Sequence, residues 1–184
     1  MTYAQAAPIA PPAPPSRPPT VLALVGTAVA AALAAVVGAV LVFAGGRDLA
    51  TTNLNEAMDK LLPDMGLPEG MSTEDVKGLS GLLWDAAIDE RMATLVARAG
   101  FALFFAAWLL IFGLCALKAA TWARVLITVG AVLALLPHLL IISDYSPASV
   151  SATSWAAMAL GLIALVLCWL PPNNRYAKAR KVRY

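Results

Sequence analysis

The chain has 184 residues with 13 Lys and Arg, 11 Asp and Glu and one His, giving a formal net charge of +2; 60% of its residues are hydrophobic and 13% charged. Soluble domains are about 45–50% apolar, so this composition excludes an ordinary soluble globule, and the mean hydropathy of +0.76 points the same way. Charge is segregated: ten of the eleven acids lie between Asp48 and Glu90 and the last is Asp144, where a soluble protein would scatter them.

Residues 1–20, MTYAQAAPIAPPAPPSRPPT, are rich in Pro and Ala and lack an apolar period. Prolines at this density cannot sustain a helix and favour extended polyproline II, so a disordered leader is expected, with PPAPPSRPP as a candidate ligand for a proline-recognising groove. Val21 to Phe43 is the first uncharged apolar run, long enough at about 1.5 Å per residue to cross a core about 30 Å thick. It exceeds the apolar core of a signal peptide, so a first span is expected over residues 21–44. Gly26, Ala30, Ala34 and Gly38 recur every fourth residue and form a candidate stripe for close helix approach.

Residues 45–98 alternate polar and apolar side chains and hold nearly all the acids. Leu54, Met58, Leu61 and Leu62 fall at helical spacing behind Thr51 and Thr52 and end at Pro63, which predicts a short helix. DMGLPEGM reads as a turn. Ser72 is an N-cap with Glu74 and Asp75 in the following turn, and Val76, Leu79, Leu83, Trp84, Ala87 and Ile88 continue an apolar stripe that Gly78 and Gly81 weaken. This segment is expected to form a helical cap. Leu54, Met58, Leu61, Leu83 and Trp84 are its candidate contact surface, with packing on one another as the competing reading. Glu74–Asp75 and Asp89–Glu90 are neighbours in sequence, so their side chains diverge by about 100° on a helix and form no facing acid–base pair.

Three further spans are expected at residues 99–117, 125–142 and 151–170, joined by a short basic loop at 118–124 and by residues 143–150. Backbone groups in lipid must pair within each segment, so these spans should be helices. Trp122, Tyr145, Trp155 and Trp169 fall near span ends, as amphipathic aromatics do at the lipid boundary; Trp108 lies mid-span. The fold class is therefore all-α integral membrane, with four transmembrane helices and a helical extracytoplasmic insertion between the first two. Arg17, Lys118, Arg124 and the tail bases Arg175, Lys178, Arg180, Lys181 and Arg183 collect on one side, which the positive-inside rule makes cytoplasmic. Residues 171–184 are expected to be an unfolded anchor attracted to anionic headgroups at about 1 kcal/mol per base. With only Tyr176 and Tyr184 to stack on bases, no nucleic-acid role is expected.

The stretches ATWARVLITVGAVLALL, from Ala120, and LCWLPPNNRYAKAR, from Leu167, together with the Arg17–Val21 approach to the first span, resemble small multi-pass membrane proteins of actinobacteria. That resemblance implies a plasma-membrane protein of a high-GC bacterium and brings no active site. GLLW at Gly81–Trp84 is similar to claudin-type tetraspan proteins, but the cysteine pair of that family is missing from this segment.

His138, after Pro137 in the third span, is the candidate pH-sensitive intramembrane site. Pro137 cannot donate to the Leu133 carbonyl and should kink its helix, and a neutral imidazole could bond the freed carbonyl or a neighbouring helix. Asp144 reads as solvated. Cys115 and Cys168 lie far apart in apolar runs and signal neither a disulfide nor a metal site. No phosphate-binding loop, HExxH or GxSxG motif is present, so no enzyme activity and no cofactor are expected. An accessory or scaffold subunit of an envelope complex is the leading expectation, with membrane lipids and another envelope protein or itself as partners. A small oligomeric channel or pH sensor built on His138 is the alternative.

Overall fold

A computed structural model describes residues 16–66, 68, 70–118 and 120–181. They form six helices: α1 (Pro19–Leu61, followed by a 3-10 turn at Leu62–Asp64), α2 (Thr73–Ser80), α3 (Leu82–Ala116), α4 (Thr121–Ser143), α5 (Ala148–Cys168) and α6 (Pro171–Lys181). The protein is an all-α, four-span membrane protein, because α1, α3, α4 and α5 are each long and apolar enough to cross a bilayer.

Most of the expected leader, residues 1–15, lies outside the described residues. Its last two residues, Pro19 and Thr20, belong instead to α1. Proline is favoured at a first helical position, where its missing N–H would have had no partner anyway. α1 is interrupted at Gly46 (φ 50°, ψ −135°), a non-helical bend that glycine adopts without strain, and resumes beyond it as the first helix of the cap. The helix expected behind Thr51 is the far arm of that bend. The stretch after Ser72 is likewise two helices: Gly81 (φ 41°, ψ −106°) ends α2 and starts α3, and α3 continues unbroken from cap to membrane.

Within the membrane the helices form a ring in the order α1, α3, α4, α5, each antiparallel to the next, with α1 against both α3 and α5. The inward positions are small: Ala28, Ala31, Ala32, Ala35 and Ala39 on α1, Ala99, Ala102 and Ala106 on α3, Ala131 and Ala134 on α4, Ala157 and Ala164 on α5. Large side chains such as Leu33, Val40, Phe101, Ile111, Leu136 and Val166 point outward. Lipid tails solvate those residues as well as a core would, so association is left to close backbone approach, which small residues allow. The contact stripe of α1 is rotated from the expected one: Gly26 is exposed, Ala30 and Ala34 are half-buried, and only Gly38 is shared. A Cβ on Gly38 would sit 2.5 Å from Thr153 Oγ1, so a larger residue there would force the Thr153 side chain to move.

The chain beyond Pro171–Pro172 is a helix through Lys181, contrary to the expected unfolded tail. Tyr176 and Ala177 are buried against Val21. The two prolines start α6 rather than preclude it.

Candidate functional site

Among the described residues, no group of three or more His, Cys, Asp and Glu side chains could hold a metal ion. Five places nevertheless concentrate polar or exposed groups, three in the cap and at its boundary and two in or below the bundle.

The expected contact surface divides. Leu54 and Met58 pack onto the cluster of Ala50, Trp84, Ile88 and Leu95. Trp84 is only 5% exposed and its indole nitrogen has no hydrogen-bond partner. Trp84 therefore holds the cap together and presents nothing to a partner; two helices with apolar faces had to bury them on each other. Leu61 is moderately exposed. Leu83 is 74% exposed and stands beside Leu79 (80%) and Leu82 (88%). These three flank Gly81, where α2 ends and α3 begins.

Many cap acids have structural partners. Ser72 and Asp75 form a reciprocal capping box: the Asp75 amide donates to Ser72 Oγ (3.3 Å), and the Ser72 amide (2.9 Å) and hydroxyl (2.6 Å) donate to the Asp75 carboxylate. Those bonds hold the Asp75 carboxyl below the usual range. Arg47, just past the α1 bend, pairs with Asp85 at 3.1 Å and with Asp89, which fixes the angle between α1 and α3. Thr73 donates to Asp59 and ties α2 to the end of α1.

At the membrane boundary beneath the cap lies a network not foreseen from sequence. Asp144, expected to be solvated, accepts from Arg91 Nη1 at 2.6 Å and from Arg98 Nη1. Arg91 Nε donates to Asn53 Oδ1 (2.7 Å), and Asn53 Nδ2 donates to the Tyr145 carbonyl (2.6 Å). Asn53 is thus buried and satisfied, and it holds Tyr145 in the left-handed region (φ 45°). Burial alone would raise the Asp144 carboxyl, but hydrogen bonds from Arg98 and Arg91, with their charges, outweigh it and hold the group below the ordinary carboxylate range. The available signal was Arg91 and Arg98 seven residues apart on one helix face, opposite the lone acid of the C-terminal half.

His138 is 4% exposed and lines a cavity of about 10 Å³ with Gly38, Thr153 and Ser154 among otherwise apolar neighbours. That is about the room one water needs. No charged side chain lines the cavity, and Nδ1 has no hydrogen-bond partner. α4 stays helical through Pro137, and the expected bond from the imidazole to a freed carbonyl is not made at Nδ1.

At the end that carries both termini, α6 fastens the spans. Asn173 Nδ2 donates to the Leu167 carbonyl (2.7 Å), and Thr20 Oγ1 donates to Asn173 Oδ1. Arg124, 5% exposed, donates from Nη1 to the Cys168 carbonyl (3.0 Å) and to Asn174 Oδ1 (2.7 Å), while its Nε is unpartnered. Of the expected anchor residues, Arg175 and Lys178 are exposed, and Arg180 is half-buried with a bond to the Lys118 carbonyl (3.4 Å). The Lys181 side chain and Arg183 lie outside the described residues.

No protein-family model, no characterised protein and no solved structure matches the chain.

Proposed function

We propose that this protein is a non-enzymatic accessory or scaffold subunit of a complex in the plasma membrane of an actinobacterium-like cell, with both termini cytoplasmic and the cap outside. The resemblance of the Ala120–Arg180 stretches to small actinobacterial membrane proteins supports the setting, and the positive-inside rule supports the orientation. The observation that carries the role is the leucine corner. Leu79, Leu82 and Leu83 are the most exposed large apolar side chains of a cap in which Leu54, Met58, Trp84 and Ile88 pack together. Soluble surfaces seldom tolerate such a contiguous patch without a partner.

A photo-crosslinking residue at position 83, activated in intact cells, tests this reading. Capture of one abundant envelope protein, lost when Leu79 and Leu82 are changed to Ser, is the expected result. Crosslinks to this chain alone, or none, would remove the adaptor role. The competing reading, a conduit or pH sensor, rests on the unpartnered Nδ1 of His138. It requires that His138→Ala alter ion flux or a pH-dependent phenotype while leaving the leucine-corner crosslink intact.

A further inference from the structure

We propose that the cavity beside His138 is a site for one water molecule, held by His138, Thr153 and Ser154 as a polar joint inside the bundle. All four spanning helices wall this space, and its volume is about 10 Å³, which is room for a single water. His138 and Ser154 are both more than nine-tenths buried, so bulk water does not serve them. His138 lines the cavity, and its Nδ1 has no hydrogen-bond partner in the protein.

Cavities that stay dry have apolar walls, whereas this one has an imidazole nitrogen that is unfavourable to leave unpaired. An ion would need opposite charge beside it, and no charged side chain lines the space. Water fits both the size and the chemistry. It can donate to Nδ1 or accept from it, so it serves either tautomer of a neutral ring. Charging the ring at this depth is the expensive alternative. The two hydroxyls supply the remaining bonds. Thr153 Oγ1 donates to the Val150 carbonyl at 2.8 Å, which leaves its lone pairs free to accept from the water, and Ser154 Oγ can donate or accept. With Nδ1 these make three partners, the usual number for a buried water. Gly38 keeps the place open, because a Cβ there would press on Thr153 Oγ1 itself. The bridge ties α4 to α5 where the helices otherwise meet through small residues. It accounts for the orphaned nitrogen without assigning it a proton transfer, and it rests on neither the adaptor nor the conduit reading.

The chain has one histidine, so the full protein, labelled at histidine and alanine and purified in detergent, gives His138 signals free of overlap. The readout is magnetic cross-relaxation between water and two sets of protons, the imidazole C–H protons and the methyls of Ala39 and Ala102, which also line the cavity. Cross-peaks are expected, with opposite signs in the laboratory and rotating frames, as for a water that tumbles with the protein. Ser154→Ala should weaken them. Ser154→Ala with Thr153→Val should abolish them, since one remaining partner is fewer than a buried water needs. His138→Leu leaves both hydroxyls in place and should weaken the peaks at the alanine methyls. Absence of the peaks in the unaltered chain would overturn the proposal. So would peaks that survive loss of both hydroxyls, which would place the water elsewhere. Methyl peaks at full strength in His138→Leu would also overturn it, by showing that the hydroxyls alone produce them and that His138 holds no water.

Discussion

Asp144 accepts hydrogen bonds from two arginines on α3 and closes the boundary beneath the cap, so its charge state bears on stability. Its carboxyl is held low in the folded protein. The stabilisation it gives is therefore complete above the unfolded value, about 4, and is lost as pH falls through the lower folded value. Melting temperature in detergent should fall below about pH 4, and Asp144→Asn should flatten part of that fall. At neutral pH the same variant leaves Arg91 and Arg98 without their counterion, for an expected loss of about 1–3 kcal/mol, less than for a fully buried pair because Asp144 is partly in water. Gly130 poses a steric case. A Cβ there would meet Trp108 Cδ1 at 2.3 Å, and Trp108 Nε1 is committed to the Leu126 carbonyl at 2.8 Å. Gly130→Ala should lower unfolding stability by about 1–3 kcal/mol by overpacking, and trimming the ring with Trp108→Leu in the same chain should recover part of it. Additive losses in the double variant would show that the two residues do not oppose each other.

At the level of elements, the four spans were legible because uncharged runs of that length have one stable form in lipid. The breaks within the cap were harder to read. Gly46 breaks α1 into two helical arms, and the far arm is held in place because Ala50 and Leu54 pack beside Trp84 and Ile88. Gly81 acts in the same way: its positive φ separates α2 from α3. Trp84 could not be assigned from spacing alone, because a stripe of apolar residues on a short helix looks the same whether it meets a partner or its neighbour. α6 begins at Pro171–Pro172 in a segment expected to stay unfolded, because its charged, proline-led sequence carries no apolar period. The helix they begin is docked by Tyr176, so Tyr176→Ala should undock it. Trypsin should then cut after Arg175 and Lys178 about ten-fold faster or more, the size expected if a large-to-small change of about 2 kcal/mol or more falls on a local opening step. Unchanged cleavage kinetics would mean that α6 stays on the bundle through Asn173 and Asn174 alone.

For the whole molecule, the two ends of the bundle differ in charge as sharply as its walls differ from its core. Arg17, Lys118, Arg124, Arg175, Lys178 and Arg180 lie at the end with the termini, and every acid among the described residues lies at or beyond the other boundary. Five bases also lie on the cap side, but Arg47, Arg91 and Arg98 are paired there with Asp85, Asp89 and Asp144. Short basic loops resist translocation, whereas a long segment crosses with its charges, so the cap should face outward. Single cysteines placed at Leu82 and Arg175, in a chain with Cys115 and Cys168 changed to Ala, test this with a membrane-impermeant maleimide. Both positions are exposed, so accessibility in the folded chain does not bias the comparison. Leu82→Cys should label in intact cells and Arg175→Cys only after permeabilisation. The reverse pattern would invert the molecule, place the leucine corner in the cytoplasm, and remove the envelope from the partners it could reach. Labelling of both sites in intact cells would show that the chain inserts in two orientations, and charge segregation would then not be what sets its topology.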